Sequence, residues 1–284
     1  MPVLFMPDVI MKNFFDFIYN RGVFMIILQP SGGLCNRMRV INSGWKLAKE
    51  RQEKLLVLWL CTPELNCPFE SLFRPVTEFK IKSIHSVADP RKLFYQKTAR
   101  NYLTNDELLA HRNADGCLDA DYAKSLHGNT YIFTWEWFYP AEDYHLFIPT
   151  QNLQTRIDRM TAHFGDACIG IHIRRTDNMP AIGKSSTDAF LSAMQQALAK
   201  NPDTTFYLAT DDMTEEMHLR EVFPGRILSN QERCLKRDSV EGMHDALLDL
   251  YCLAATRQII GSYCSSFTDI AADMGRIPKT IAGE

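Results

Sequence analysis

No Cys-x-x-Cys pair occurs in this 284-residue chain, although it carries eight cysteines, and its eight histidines do not fall at ligand spacing beside them. A cysteine-held zinc site is therefore not expected, and the thiols read as reduced and mostly buried. There is neither a Gly-x-x-x-x-Gly-Lys-Ser/Thr loop nor a Gly-x-Gly-x-x-Gly turn, which argues against ATP hydrolysis and a nicotinamide cofactor. No run of ~20 apolar residues is available to span a bilayer. The apolar stretches in the first 24 residues are broken by Asp8, Lys12, Asp16 and Arg21, and no small-residue cleavage site follows. Residues 1–24 thus read as an N-terminal extension and not as a secretion signal, which points to a cytoplasmic protein. Excess charge is missing too: the formal net charge is -3. Nucleic acid is then not an expected partner, and any site for a small anion must be built locally.

What is present is an ordinary globular composition, 46% hydrophobic and 23% charged, which excludes disorder and fibrous architectures. Residues 25–29 read as a buried strand, 30–33 as a glycine turn and 35–50 as a helix. Apolar strands are expected at 54–60 and 130–135, with a weaker one at 78–84. The polar stretch 89–129 reads as helical and irregular. After Pro149 a regular alternation follows, with strands at 167–173, 205–209, 226–228, 258–262 and 279–282 separated by helices. Strands alternating with helices imply mostly parallel sheets, so the expectation is an α/β fold of two facing Rossmann-like domains, 25–150 and 151–284, with a cleft between them.

The strongest local signal is the strand 170–173 ending in Arg174, Arg175, Thr176 and Asp177. Guanidinium forks match phosphate oxygens at two points and keep their charge, as stabilising a departing diphosphate requires. A surface ion pair is the bland alternative for such a pair. A second signal is Ser31-Gly32-Gly33-Leu34-Cys35-Asn36-Arg37, where glycines let backbone amides approach an anion at a helix start; a simple tight turn would look the same. The strand end Thr210-Asp211-Asp212 suits a ribose, a base edge or an arginine partner, or a helix cap. In Ser262 to Thr268, small hydroxyl residues lie between a strand and a helix, suited to binding phosphate or to capping.

Taken together these segments resemble the fucosyltransferase superfamily of α1,6-fucosyltransferases, rhizobial nodulation fucosyltransferases and, more distantly, protein O-fucosyltransferases. His172-Ile173-Arg174-Arg175-Thr176-Asp177 is similar to the family's His-x-Arg-Arg-x-Asp motif. Gly32 to Arg39 is similar to its N-terminal glycine-asparagine loop, and Pro63 to Phe73 to the stretch after its second strand. The resemblance implies a GT-B architecture, an inverting transfer from GDP-fucose, and no cofactor or metal. It implies that Arg175 binds the β-phosphate with Arg174 beside it. Asp211, Asp212, Ser265, Ser266 and Phe267 would line the nucleotide pocket, Gly33 and Asn36 would approach the donor, and His172 would be structural or touch the nucleotide. The acceptor implied is a glycan or a lipid-linked saccharide, the latter compatible with peripheral membrane contact.

The family's glutamate base does not carry over, because Asn178 and Met179-Pro180-Ala181-Ile182 follow the motif. Asp177 is the nearest carboxylate by motif, and Glu136, within Phe133-Thr134-Trp135-Glu136-Trp137-Phe138, is a second. Those aromatics suit a sugar face, although core packing is their commoner role. Other readings are a transferase using a different sugar nucleotide, a nucleotide-sugar-binding protein without catalysis, and a metal-dependent enzyme using Asp119-Ala120-Asp121.

Overall fold

The structure is a computed structural model that describes residues 24–140, 144–176, 179–231, 233–236 and 238–284. The expected extension, up to residue 23, and the expected catalytic Asp177 lie outside the described residues.

A first sheet is built from β1 (Met25–Pro30), β2 (Lys54–Leu60), β3 (Lys80–Ile84), β4 (Asn101–Leu103) and β5 (Thr130–Thr134), in the order β3-β2-β1-β5-β4 with every pairing parallel. Along this part of the chain run helices α1 (Leu34–Arg51), α2 (Phe69–Leu72), α3 (Pro90–Thr98), α4 (Asn105–Ala110) and α5 (Ala120–Ser125). A second sheet contains β6 (Cys168–Ile173), β7 (Thr205–Thr210), β8 (Ile227–Leu228), β9 (Ile259–Gly261) and β10 (Lys279–Ile281), ordered β10-β9-β6-β7-β8 and again all parallel. Its helices are α6 (Gln151–Thr161), α7 (Met179–Lys184), α8 (Thr187–Lys200), α9 (Met213–Val222), α10 (Val240–Ala254) and α11 (Ser266–Gly275).

The α/β class expected from the sequence is what the chain adopts. The central strands are apolar on both faces because helices cover parallel sheets on both sides. In β2 every residue from Leu55 to Leu60 is buried, and in β6 all six are. One core packs Ile27, Leu56, Leu58, Ile84 and Tyr131; another packs Ile171, Ile173, Phe190, Phe206, Leu208 and Ile260. Helix starts follow capping chemistry: Ser186, Asp212 and Ser239 each accept a hydrogen bond from a backbone amide of the first turn. The stretch 89–129, expected without a strand, contributes β4, a three-residue segment too short to show a periodic signal. Among the described residues no helix is long and apolar enough to cross a membrane.

The chain divides into two compact units that are not contiguous in sequence. One comprises the segment ending at Ser31 with Val40–Leu60 and Thr77–Ala141; the other comprises Gly32–Arg39, Cys61–Val76 and Glu142–Glu284. The glycine loop and the first turn of α1 thus belong with the second sheet.

Each sheet has one point where its strand order reverses. In the first, β2 and β3 lie on one side of β1 and β5 on the other; in the second, β7 and β8 lie on one side of β6 and β9 on the other. Outside the carboxyl ends of the strands at such a point, flanking loops diverge and leave room for a ligand.

Candidate functional site

At the reversal point of the second sheet, β6 delivers His172, Arg174 and Arg175, while β9 runs into Ser262 and the start of α11. The two strand ends are tied together: the Ser262 amide donates to the His172 carbonyl at 3.0 Å, and the Arg174 amide donates to Ser262 Oγ at 3.0 Å. Gly261 makes this approach feasible, because a Cβ there would collide with the side chain of Thr268. With α11 drawn in, Thr268 Oγ1 sits 2.8 Å from His172 Nδ1 and Ser265 Oγ 3.3 Å from the same nitrogen. The Phe267 ring stacks on the imidazole at 4.8 Å. His172 is buried and held on three sides, which fits a packed role better than that of a mobile base. Ser265 is the N-cap residue of α11 but makes no capping bond through its side chain, since its hydroxyl faces His172.

The two arginines are placed differently. Arg175 turns inward: its Nη2 pairs with Glu215 at 3.0 Å, with both side chains 10% exposed, and its Nη1 donates to the Ser185 carbonyl at 2.9 Å. Its guanidinium carbon lies 5.6 Å from the centre of the Phe190 ring. Arg174 is the more exposed of the two, at 22%, and its Nε is 3.7 Å from Asp211 Oδ2. Asp211 joins β6 to β7: Oδ1 accepts the Arg175 amide at 2.7 Å, and Oδ2 accepts the Thr176 hydroxyl at 2.6 Å. Burial would raise the Asp211 pKa, but these hydrogen bonds, with the charges of Arg174 and His172, outweigh it and hold the carboxyl below its ordinary value. Asp212 caps α9, accepting the Thr214 amide at 2.7 Å.

Gly33 and Asn36 lie at the start of α1, in the same compact unit as the arginines. Gly32, not Gly33, adopts the left-handed backbone, with φ 77. A Cβ on Gly33 would meet nothing within 4 Å. The loop is braced by Arg37, 1% exposed, whose Nε donates to the Gly32 carbonyl at 2.8 Å and whose Nη2 donates to Thr62 Oγ1 at 3.0 Å. Burial lowers the Arg37 pKa to about 10, with Cys61 and Glu64 acting in the other direction. Cys35, between the loop and Asn36, has its thiol pushed up by burial and also feels the charges of Arg39, Asp269 and Arg174.

The structure therefore brings His172, Ser265 and Phe267 together and joins Arg174 and Arg175 to Asp211, whereas Asp212 serves its own helix. Sequence reasoning missed Glu215 and Ser185, and it gave no role of their own to Arg37 and Thr268, which end two of the segments it singled out. Only Glu215 left a trace, sitting three residues after the N-cap Asp212 where a capping glutamate is common. In the alternative metal motif, Asp119 caps α5 through the amides of Asp121 and Tyr122, and Asp121 lies 3.4 Å from Lys124. Among the described residues no group of three or more His, Cys, Asp or Glu is placed to hold a metal ion.

No family profile matches the chain, and no curated protein sequence matches it. Solved structures do. NodZ α-1,6-fucosyltransferase soaked with GDP-fucose aligns over 89% of this chain and 92% of its own, at 18% identity and a TM-score of 0.64. A mutant of Arabidopsis thaliana FUT1 in complex with GDP aligns over 91% of this chain and 70% of its own, at 16% identity and a TM-score of 0.62. POFUT1 in complex with GDP-fucose aligns over 92% and 99%, at 11% identity and a TM-score of 0.56. At these identities the likeness concerns the backbone, and over nine-tenths of its length this chain shares the two-sheet, GT-B-like α/β fold of fucosyltransferases.

Proposed function

We propose that the protein is a glycosyltransferase that moves fucose from GDP-fucose to a hydroxyl of a glycan or lipid-linked saccharide, with inversion at the sugar carbon and without a metal ion. The observation that carries this reading is the position of Arg174, partly exposed at the reversal point of the second sheet, in a fold whose solved counterparts hold GDP or GDP-fucose.

On this reading the arginines divide the work. Arg174 meets the diphosphate and neutralises the charge that grows as the glycosidic bond to fucose breaks. Arg175 fixes the strand end from behind through Glu215 and Ser185, and Asp211, held by the Arg175 amide and the Thr176 hydroxyl, faces the Arg174 side chain as its counter-charge. The first amides of α11, a ten-residue helix, and the Ser266 hydroxyl add donors for phosphate. Phe267, Gly33 and Asn36 complete the donor side. Deprotonation of the acceptor falls to Asp177, the carboxylate that ends the motif. Glu136 is less suited, since Arg112 holds it at 3.3 Å.

Turnover of GDP-fucose in chelating buffer with a mixed saccharide acceptor tests the reading: GDP release and a fucosylated product by mass spectrometry are expected, both lost in Arg174→Ala. Turnover of a UDP-sugar with GDP-fucose untouched would overturn it.

A further inference from the structure

The glycine loop before α1 presents its peptide groups in a fixed direction, and Arg37 sets that direction. The Arg37 Nε donates to the Gly32 carbonyl at 2.8 Å, and the Arg37 backbone amide donates to the Gly33 carbonyl at 3.1 Å. One residue thus takes the carbonyls of both glycines. These peptides are trans, so each carbonyl and the amide that follows it point to opposite sides of one plane. Holding the two carbonyls toward Arg37, which is 1% exposed, turns the Gly33 and Leu34 amides away from it. Gly33 also precedes its helix without a side chain, unlike Ser186, Asp212 and Ser239, which cap α8, α9 and α10. Among the described residues neither amide has an acceptor, and a Cβ added to Gly33 would meet no atom within 4 Å.

Arg37 is anchored from its other end. Its Nη2 donates to Thr62 Oγ1 at 3.0 Å, and Thr62 is locked to Leu65 by backbone bonds in both directions, at 3.1 and 2.9 Å. The segment that carries Thr62 is fastened within the unit that holds the arginine motif: Asn66 Nδ2 donates to the Asp238 carbonyl at 3.1 Å, and His244 Nε2 lies 3.0 Å from the Ser71 carbonyl. A planar guanidinium reaching two separate acceptors makes a bracket that an ammonium on a flexible stem does not reproduce.

We propose that Arg37 is a positioning residue for the donor: through Gly32 and Thr62 it aims the Gly33 and Leu34 amides at the diphosphate. Adjacent amides at the start of a helix favour an anion, and the diphosphate is the anionic part of the donor. Naming the diphosphate rests on the proposed transferase function; the direction of the amides does not.

The test uses wild type, Arg37→Lys, Arg37→Gln and Thr62→Val, each prepared with isotope-labelled glycine and titrated with guanosine, GDP and UDP, with melting recorded for every variant. The Gly33 amide resonance is assigned by its loss in Gly33→Ala. In wild type, GDP is expected to move the Gly33 amide proton downfield, as a hydrogen bond to a charged oxygen does, and guanosine to leave it in place. GDP affinity should fall ~10-fold in Arg37→Lys and Arg37→Gln and by less in Thr62→Val, with the downfield shift reduced in step and guanosine affinity unchanged. Thr62→Val keeps the backbone pairing with Leu65, so it reads the bracket where an Arg37 variant fails to fold. A merely structural arginine would lower the melting temperature while the folded variants bind GDP as wild type does and show the same Gly33 shift; that result overturns the proposal. GDP binding with a silent Gly33 amide also overturns it and leaves the donor reading standing. UDP moving the Gly33 line while GDP does not bind would sink the donor reading and keep the role of Arg37, and if no nucleotide moves the line, both fall.

Discussion

The two sheets share one plan and are furnished differently. Each is five-stranded and parallel with its order reversed at its first strand. In the first sheet the buried partners at that strand are neutral, Tyr131 donating to Gln29 at 2.5 Å, although the same unit holds the ion pairs Arg51–Glu53 and Arg112–Glu136. In the second they are charged: buried Tyr207 donates to Asp249 at 2.6 Å, Arg175 pairs with Glu215, and Glu216 is met by Arg220 and Arg233. Charge inside a protein is costly unless it is paired, so these carboxylates of the second sheet depend on their partners.

The contrast can be broken first at the tyrosines. Burial, opposed by the Tyr207 hydrogen bond and the Arg233 charge and reinforced by Asp245 and Glu216, raises the Asp249 pKa from 3.8 to about 7. A carboxyl raised in the folded state favours folding at low pH, fully below the unfolded value, and this contribution is lost as pH climbs through about 7. Relative to wild type, Asp249→Asn should remove a pH-dependent stability difference on the order of 4 kcal/mol between pH 4 and 8. Gln29→Glu would import the same slope into the first sheet. Urea denaturation across that range reads both.

A second break is at the ion pairs. Removing Glu216, 3% exposed, strands Arg233, whose side chain is 1% exposed. Glu216→Ala is expected to lower the free energy of unfolding by ~3 kcal/mol. Glu136→Ala in the more exposed pair of the first sheet should cost less than ~1 kcal/mol. Equal losses would erase the distinction between the two sheets.

The third prediction sharpens the contrast within one motif. Arg175→Ala leaves Glu215 buried with the Thr187 hydroxyl but without its charged partner and should lower stability by ~2 to 3 kcal/mol. Arg174→Ala should barely change melting but weaken GDP by ~2 kcal/mol, about 30-fold, the worth of a charge-assisted contact. Smallest is Gly33→Ala: a Cβ there meets no protein atom, so folding should be unchanged and any loss of donor affinity reports close approach of a ligand.

Much of this was legible in the residues. Leu55 to Leu60 and Ile169 to Ile173 read as strands because a strand covered on both faces is a continuous apolar run. The arginine pair stood at a strand end for the same reason. The short strand Asn101–Leu103 carries no run, and Met179–Lys184 begins at Met-Pro after a polar motif, so neither left a periodic mark. Which arginine turns inward was not legible, because that choice is made by Glu215, 40 residues away, and by the Ser185 carbonyl. Sequence likeness favoured Arg175 for the phosphate; burial and pairing favour Arg174. Asp212 shows the opposite limit, since a capping aspartate and a ligand-binding one look alike until the Thr214 amide is seen on it.

Calorimetric titration of GDP in chelating buffer into wild type, Arg174→Ala and Arg175→Ala, each checked by melting, tests the central claim most directly. The account predicts GDP binding to wild type without added metal, a loss of about 30-fold in Arg174→Ala at unchanged stability, and lowered stability in Arg175→Ala. Equal GDP affinity in wild type and folded Arg174→Ala would contradict it.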